Sequence, residues 1–188
     1  MGKDIILAGV GGQGILTIAT VIGYAAVQRG WHLKQAEVHG MSQRGGDVQS
    51  HLRLSDKPIW SDLIPFGKAD LILSVEPMEA LRYLPYLSPD GWIVTNSTPF
   101  QNIAQYPEVD AIHTAIRSIK NHILLDADTL AKQVKAARSM NMVMLGAAAR
   151  HIGFAPQEFQ DAISAIFSRK GEAVVEANLN AFQAGLTA

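Results

Sequence analysis

The feature that most limits the fold of this 188-residue chain is a glycine run set between a strand pattern and a helix pattern. Residues 4–10, Asp-Ile-Ile-Leu-Ala-Gly-Val, form a short continuous apolar run, which reads as a central strand covered on both faces. It leads into Gly9-Val10-Gly11-Gly12-Gln13-Gly14, a G-x-G-x-x-G pattern. Over residues 13–28 the period becomes helical: Ile15, Ile18, Ala19, Ile22 and Ala26 share one stripe, and Gly30 closes the helix. A tight strand-to-helix turn needs positive φ or a missing Cβ. The free N–H groups of the opening helical turn then attract an anion at the positive end of the helix dipole. The same glycines are equally accounted for if they only let helix pack on strand. A Rossmann fold puts a ribose-binding acid roughly 20 residues beyond such a loop, and Glu37 stands near that distance, closing a second strand at 32–38. Gln13 can offer its amide to a ligand or to a neighbouring loop.

A second unusual stretch follows that strand. His39-Gly40-Met41-Ser42-Gln43-Arg44-Gly45-Gly46 puts imidazole, hydroxyl, amide, guanidinium and a glycine pair within eight residues. Loops at the carboxyl ends of parallel strands face the binding crevice of an open sheet. If strand 32–38 runs parallel to strand 4–10, the two glycine loops lie side by side. Arg44 then has a fork of donors for a carboxylate or phosphate, and the N–H groups around Gly45-Gly46 make an anion nest. The plain alternative is a solvated turn with Arg44 paired to Asp47. Glu37, His39 and His51 have the chemistry of metal ligands, but no further ligand shows a recognisable spacing, so no metal is expected.

The remaining pattern alternates strands and helices. Residues 47–54 alternate cleanly, Val48, Ser50, Leu52 and Leu54 against Asp47, Gln49, His51 and Arg53. Residues 70–75 and 92–96 read as strands, with Ser88-Pro89-Asp90-Gly91 a turn between them. Glu76-Pro77-x-Glu79 opens a helix, either as a cap or with Glu76 aimed into the crevice. Strands are expected near 109–113 and at 121–126, then helices over 129–137, 140–152, 156–168 and 172–184. The fold class is therefore α/β: a Rossmann-like, mostly parallel sheet flanked by helices, with a helical C-terminal portion, in one domain over 1–188. Trp60, Leu63, Ile64, Phe66 and the 140–152 helix are candidates for an apolar contact face.

Composition closes off several functions. Lys and Arg number 16 against 17 Asp and Glu, a net charge of −1 that leaves no basic footprint for nucleic acid or anionic membrane. No apolar run approaches a membrane span and the start does not resemble a signal peptide, so a soluble cytoplasmic protein is expected. The sequence has no cysteine, hence no ligand for an iron–sulfur cluster, no thiolate nucleophile and no Cys-type zinc site. Ser50, Ser74 and Ser97 lack the nucleophile-elbow context of a hydrolase. Tyr83 and Tyr86 have no Lys four residues on. A free-standing NAD(P)-dependent reductase, or a nucleotide- or acyl-CoA-binding module, remains an alternative on the glycine loop alone.

Gly-Val-Gly-Gly-Gln-Gly at 9–14, Glu-Val-His-Gly-Met-Ser-Gln-Arg-Gly-Gly at 37–46 and Asn-Met-Val-Met-Leu-Gly at 141–146 together resemble the gamma subunit or domain family of the 2-oxoacid:ferredoxin oxidoreductases. The His-Gly-Met-Ser-Gln-Arg-Gly-Gly form points to the indolepyruvate branch, where the corresponding chain is the beta subunit. The resemblance implies a subunit that is inactive alone, packed against a large alpha subunit carrying thiamine diphosphate, Mg and iron–sulfur clusters, with ferredoxin reached through the complex. The family decarboxylates a 2-oxoacid oxidatively with coenzyme A. On this basis Gly9, Gly11, Gly12, Gln13, Gly14, Gly40, Ser42, Gln43, Arg44, Gly45 and Gly46 are expected to line the cofactor-facing surface, and His39 and Arg44 are the catalytic candidates.

Overall fold

The structure, a computed structural model, describes residues 1–39, 45–101 and 103–188, with His39 described by its backbone alone. In chain order the elements are β1 Gly2–Val10, α1 Ile15–Gln28, β2 His32–His39, β3 Asp47–Ser55, β4 Ala69–Ser74, α2 Pro77–Arg82, β5 Leu87–Asn96, α3 Val109–Arg117, β6 His122–Leu125, α4 Ala127–Gln133, α5 Met140–Ile152, α6 Pro156–Phe167 and α7 Glu172–Leu186. They build a six-stranded sheet in the order β2-β3-β1-β4-β5-β6. β1, β4, β5 and β6 pair in parallel, and β3 is antiparallel to both β1 and β2. Five strands therefore share one direction and β3 alone opposes them, in keeping with the mostly parallel sheet that the sequence predicts.

β1 is central because both its faces are apolar: Ile5 and Leu7 on one, Ile6 and Ala8 on the other, all fully buried. Ile5 and Leu7 join Leu52, Leu71, Leu73 and Val94 beneath α1 and α5. Ile6 and Ala8 join Ile72, Ile93, Ala80 and Ile64 beneath α2 and the β3–β4 connection. α5 is buried almost throughout because it lies between the sheet and α7. Gly146 and Gly185 make that crossing close: a Cβ on Gly146 would sit 2.1 Å from Phe182 O, and one on Gly185 1.9 Å from Val143 O.

Four expectations are corrected. Residues 109–113 begin helix α3; Ile112 and Ile116, one turn apart, are its buried pair, and that spacing outweighs the strand-like run Val-Asp-Ala-Ile. Ser88–Gly91 makes no turn ahead of a strand but lies within β5, where the register slips: Ala69 faces Leu87 while Leu71 faces Trp92. Ile64 is 2% exposed and α5 is interior, so neither belongs to an apolar contact face. The helix expected over 129–137 spans Ala127–Gln133 instead, capped by the Asp126 carboxylate on Thr129 N–H at 2.9 Å and ended before Lys135, whose φ is +57°.

Candidate functional site

β1, β2 and β4 all end at the same edge of the sheet, so both glycine segments open there. They touch: Gly11 N–H donates to Gly46 O at 2.8 Å. The expected juxtaposition thus holds for the described residues, although β3 separates β2 from β1. Gly40, Ser42, Gln43 and Arg44 lie outside the described residues, as does the side chain of His39.

The residues of the first glycine loop divide their tasks. Gly9 is there for packing, since a Cβ would sit 2.4 Å from Val75 Cγ2 and 2.9 Å from Ile15 Cδ1. Gly14 caps α1 with φ +83°, and its Cβ position lies 2.5 Å from Asn141 Nδ2, which donates to Gly14 O at 3.2 Å. Gly12 has φ +100° with nothing within 4 Å of a Cβ, so it needs the left-handed conformation and faces open space. Gln13 is a strut: its Oε1 accepts from Val10 N–H at 2.8 Å and its Nε2 donates to Val75 O at 3.5 Å, tying the ends of β1 and β4 together. The Gln13 amide thus reaches a neighbouring loop, one of the two roles open to it.

The N-terminus of α1 has no side-chain cap and no acid in its first turn, which leaves its dipole end free for an anion. A cleft of about 680 Å³ opens in front of it, lined by Gly12, Thr17, Arg138, Ser139, Asn141 and Lys170. Arg138 and Lys170 bring exposed cations to the rim. Ser139 is buried, and its hydroxyl makes no cap bond to α5, which begins at the next residue. Asp128 also lines the cleft, but its carboxylate is held by Asn96 Nδ2 at 2.8 Å. Sequence reasoning did not find Arg138 and Lys170, because no spacing ties these helix-junction residues to a loop more than a hundred positions away.

The other candidates turn out to be structural. Glu37 sits on β2, two strand spacings and so about 10 Å from β1. β3 occupies the place beside β1 where a dinucleotide fold keeps its acid-bearing strand, so Glu37 does not stand where such a fold puts its ribose-binding acid. Glu37 pairs with Ser50, whereas His51 pairs with Ala36, so the two side chains fall on opposite faces of the sheet. His51 is 4% exposed; its Nδ1 accepts from Ile64 N–H at 3.0 Å and its ring meets Tyr86 edge-on at 5.1 Å. Burial holds its pKa below the ordinary histidine value. Among the described residues no group of three or more His, Asp or Glu converges as metal ligands.

Glu76 acts as a cap. Fully buried, it accepts from Glu79 N–H at 2.8 Å, from Phe100 N–H at 3.3 Å and from the Tyr106 hydroxyl. Glu79, 1% exposed, receives Arg82 Nε at 2.7 Å and Nη2 at 3.2 Å, and burial raises its pKa. Desolvation likewise pushes the phenols of Tyr83 and Tyr106 up, so both act as neutral donors, Tyr83 to Asp47 Oδ2 at 3.2 Å.

The family model for pyruvate ferredoxin/flavodoxin oxidoreductase matches residues 4–188. Indolepyruvate oxidoreductase subunit IorB of Pyrococcus horikoshii is 37% identical over 193 residues, covering 98% of this chain and 95% of that protein. The pyruvate oxidoreductase subunit PORC of Thermotoga maritima superposes with a TM-score of 0.76 at 19% identity, over 99% of this chain and 96% of that one. The 2-oxoglutarate:ferredoxin oxidoreductase of Magnetococcus marinus, solved with 2-oxoglutarate, coenzyme A and succinyl-CoA bound, superposes with a TM-score of 0.72 at 21% identity; 99% of this chain matches 30% of that longer one. The two superpositions show a shared fold, and the match over nearly the whole sequence establishes that the chain belongs to the pyruvate ferredoxin/flavodoxin oxidoreductase family.

Proposed function

We propose that residues 1–188 form one gamma-type domain, the small subunit of a cytoplasmic 2-oxoacid:ferredoxin oxidoreductase of the indolepyruvate kind. The complete enzyme would convert an aryl or similar 2-oxoacid and coenzyme A into acyl-CoA and carbon dioxide, passing the electron pair to ferredoxin. Thiamine diphosphate, Mg and the iron–sulfur clusters belong to a large alpha subunit, in agreement with a sequence that has no cysteine to ligate a cluster. This chain's part is to shape one wall of the reaction chamber and to hold the anionic end of coenzyme A.

The observation that carries this reading is the meeting of the two glycine segments through Gly11 N–H and Gly46 O at the open edge of the sheet, next to a cleft with cations at its rim. Phosphate groups suit that cleft: the uncapped amides of α1 and the guanidinium of Arg138 both donate to anionic oxygens. Arg44, in the second glycine segment, is a further anion ligand in this reading, and His39 is a candidate to touch the reacting groups.

Reconstitution tests it. The chain assembled with its large subunit should reduce ferredoxin in the presence of indolepyruvate and coenzyme A, and each subunit alone should not. Arg138→Ala combined with Lys170→Ala should raise the KM for coenzyme A about tenfold and leave the KM for the 2-oxoacid near its original value. Turnover by the isolated chain, or an unchanged coenzyme A KM in the variant complex, overturns the assignment.

A further inference from the structure

Two helices, α1 and α5, begin at the cleft in front of the first glycine loop. Their starts touch. Asn141, in the first turn of α5, donates from Nδ2 to Gly14 O at 3.2 Å, and a Cβ on Gly14 would sit 2.5 Å from that nitrogen. Its Oδ1 accepts from Met142 N–H at 3.1 Å. The residue that opens the Asn-Met-Val-Met-Leu-Gly run is therefore a staple between two helix starts. α1 is 14 residues long and α5 is 13, and neither has a side-chain cap or an acid in its first turn. Each start carries the equivalent of about half a positive charge. Two such ends held side by side repel, and an anion between them relieves both.

Ser139, the residue before α5, points the same way independently. It is 6% exposed and lines the cleft, and its hydroxyl has no hydrogen-bond partner among the described residues. That hydroxyl is not sealed in, because among the described residues His151 Nε2 alone is both enclosed and unpartnered. It opens on the cleft. A buried hydroxyl without a partner is costly unless something in the cleft takes it up. Thr17, in the first turn of α1, brings to the same cleft a second hydroxyl with no partner among the described residues. Arg138 and Lys170, at the rim, are in no ion pair among the described residues. The Lys170 ammonium lies 5.2 Å from the centroid of the Phe167 ring, which steadies it there.

We infer that, with the anionic end of coenzyme A lying here as proposed above, the cleft is built for a diphosphate. One phosphate rests on the start of α1 beside Thr17, and the other on the start of α5 beside Ser139. The rim cations remain for the phosphate monoester on the ribose. A lone phosphate serves one helix start and leaves the second bare, whereas two phosphates joined by a bridging oxygen serve both. Ser139 and Thr17 thus become coenzyme-binding residues, one from each helix. Thiamine diphosphate offers the same group, so comparing the two compounds decides the occupant.

Calorimetric titration of the full-length chain tests the site. Inorganic pyrophosphate should bind at least tenfold more tightly than inorganic phosphate, and more tightly by the same margin than citrate, an anion of similar charge without phosphorus. Ser139→Ala should weaken pyrophosphate about tenfold, the loss of one hydrogen bond to a charged group, and citrate less than twofold. Thr17→Val should do the same from the other helix. Because the Ser139 hydroxyl caps nothing, Ser139→Ala should not lower the ligand-free melting temperature, whereas loss of a true cap would. Coenzyme A should bind more tightly than thiamine diphosphate and lose the same factor in both variants. In the enzyme assembled with its large subunit, Ser139→Ala should raise the KM for coenzyme A about tenfold and leave that for the 2-oxoacid unchanged. Citrate binding as well as pyrophosphate, or a pyrophosphate affinity indifferent to both substitutions, overturns the diphosphate site and leaves the functional reading standing. Thiamine diphosphate binding more tightly than coenzyme A keeps the site and overturns coenzyme A as its occupant. A diphosphate site in the isolated chain beside an unmoved coenzyme A KM keeps this inference and sinks the functional reading.

Discussion

His51 and His151 are both held toward their neutral forms by the protein around them. For His51 the main cause is burial, aided by the Arg53 charge and opposed by Asp62 and Asp4. For His151 it is again burial, reinforced by Arg150 and Lys3; the ring stacks on Trp92 at 4.1 Å and its buried Nε2 has no hydrogen-bond partner. In each case the folded chain binds a proton less readily than the unfolded chain, whose histidines titrate near 6.5. Stability from these sites is therefore complete above that value and is lost as the pH falls below it. The urea midpoint should drop between pH 7.5 and pH 5, with a slope of at most about 1.4 kcal/mol per pH unit for each histidine. Replacing His151→Phe should flatten the profile without lowering stability at pH 7.5. A midpoint that holds constant across that range would show that neither ring resists protonation in the fold.

At the scale of elements, the α5–α7 crossing is the least forgiving contact, because what meets each glycine is backbone. A methyl group at Gly146 meets Phe182 O at 2.1 Å, and neither helix can yield without leaving the sheet or its neighbour. Gly146→Ala should cost about 3 kcal/mol or more, at the upper end of overpacking effects. Gly30→Ala, where φ is +79° but nothing lies within 4 Å, should cost about 1–2 kcal/mol for conformation alone. Urea midpoints of the two variants distinguish the cases, and equal losses would refute the packing account. The same helix shows how far sequence reaches. The nearly unbroken apolar run from Asn141 to Ala149 marks α5 as buried, but nothing in it says that the second wall is Gly185 on α7 rather than a partner's surface. The alternation over 47–54 marks a strand with one face that is wet or lines a polar site, yet its insertion between β2 and β1 follows from long-range pairing. That insertion is what separates Glu37 from the glycine loop. Ser88-Pro89-Asp90-Gly91 has the local chemistry of a turn, and pairing with β4 absorbs it as an irregularity within β5. Local rules located most of the elements, mistaking α3 for a strand, and marked both glycine loops, but not the cations that approach the first loop from the C-terminal helices.

For the molecule as a whole, the net charge is −1, so a general attraction for anions is absent and any anion must find a local site. The cleft before α1 meets that requirement: open amides at a helix start, Arg138 and Lys170 at the rim, and Gly12 with free space above it. β3 beside β1, by contrast, moves Glu37 two strands away from the glycine loop where a nicotinamide dinucleotide needs its ribose contact. Coenzyme A and NADH both carry a pyrophosphate, but coenzyme A adds a phosphate monoester on its ribose, so NADPH, which has one too, serves beside NADH as the charge-matched control. At 100 times its Kd, a ligand that binds only the folded chain adds about 2.7 kcal/mol of stability, which for a domain of this size is a rise in Tm of about 5–10 °C. Coenzyme A should produce that rise with the isolated chain. NADH should produce little, and Arg138→Ala with Lys170→Ala should abolish the coenzyme A effect without moving the ligand-free Tm by more than a degree or two. The rise should also shrink as salt is added, because screening weakens phosphate contacts with exposed cations. An NADH shift equal to that of coenzyme A would return the glycine loop to the dinucleotide reading. A coenzyme A shift that survives loss of both cations would place the bound anion elsewhere on the chain.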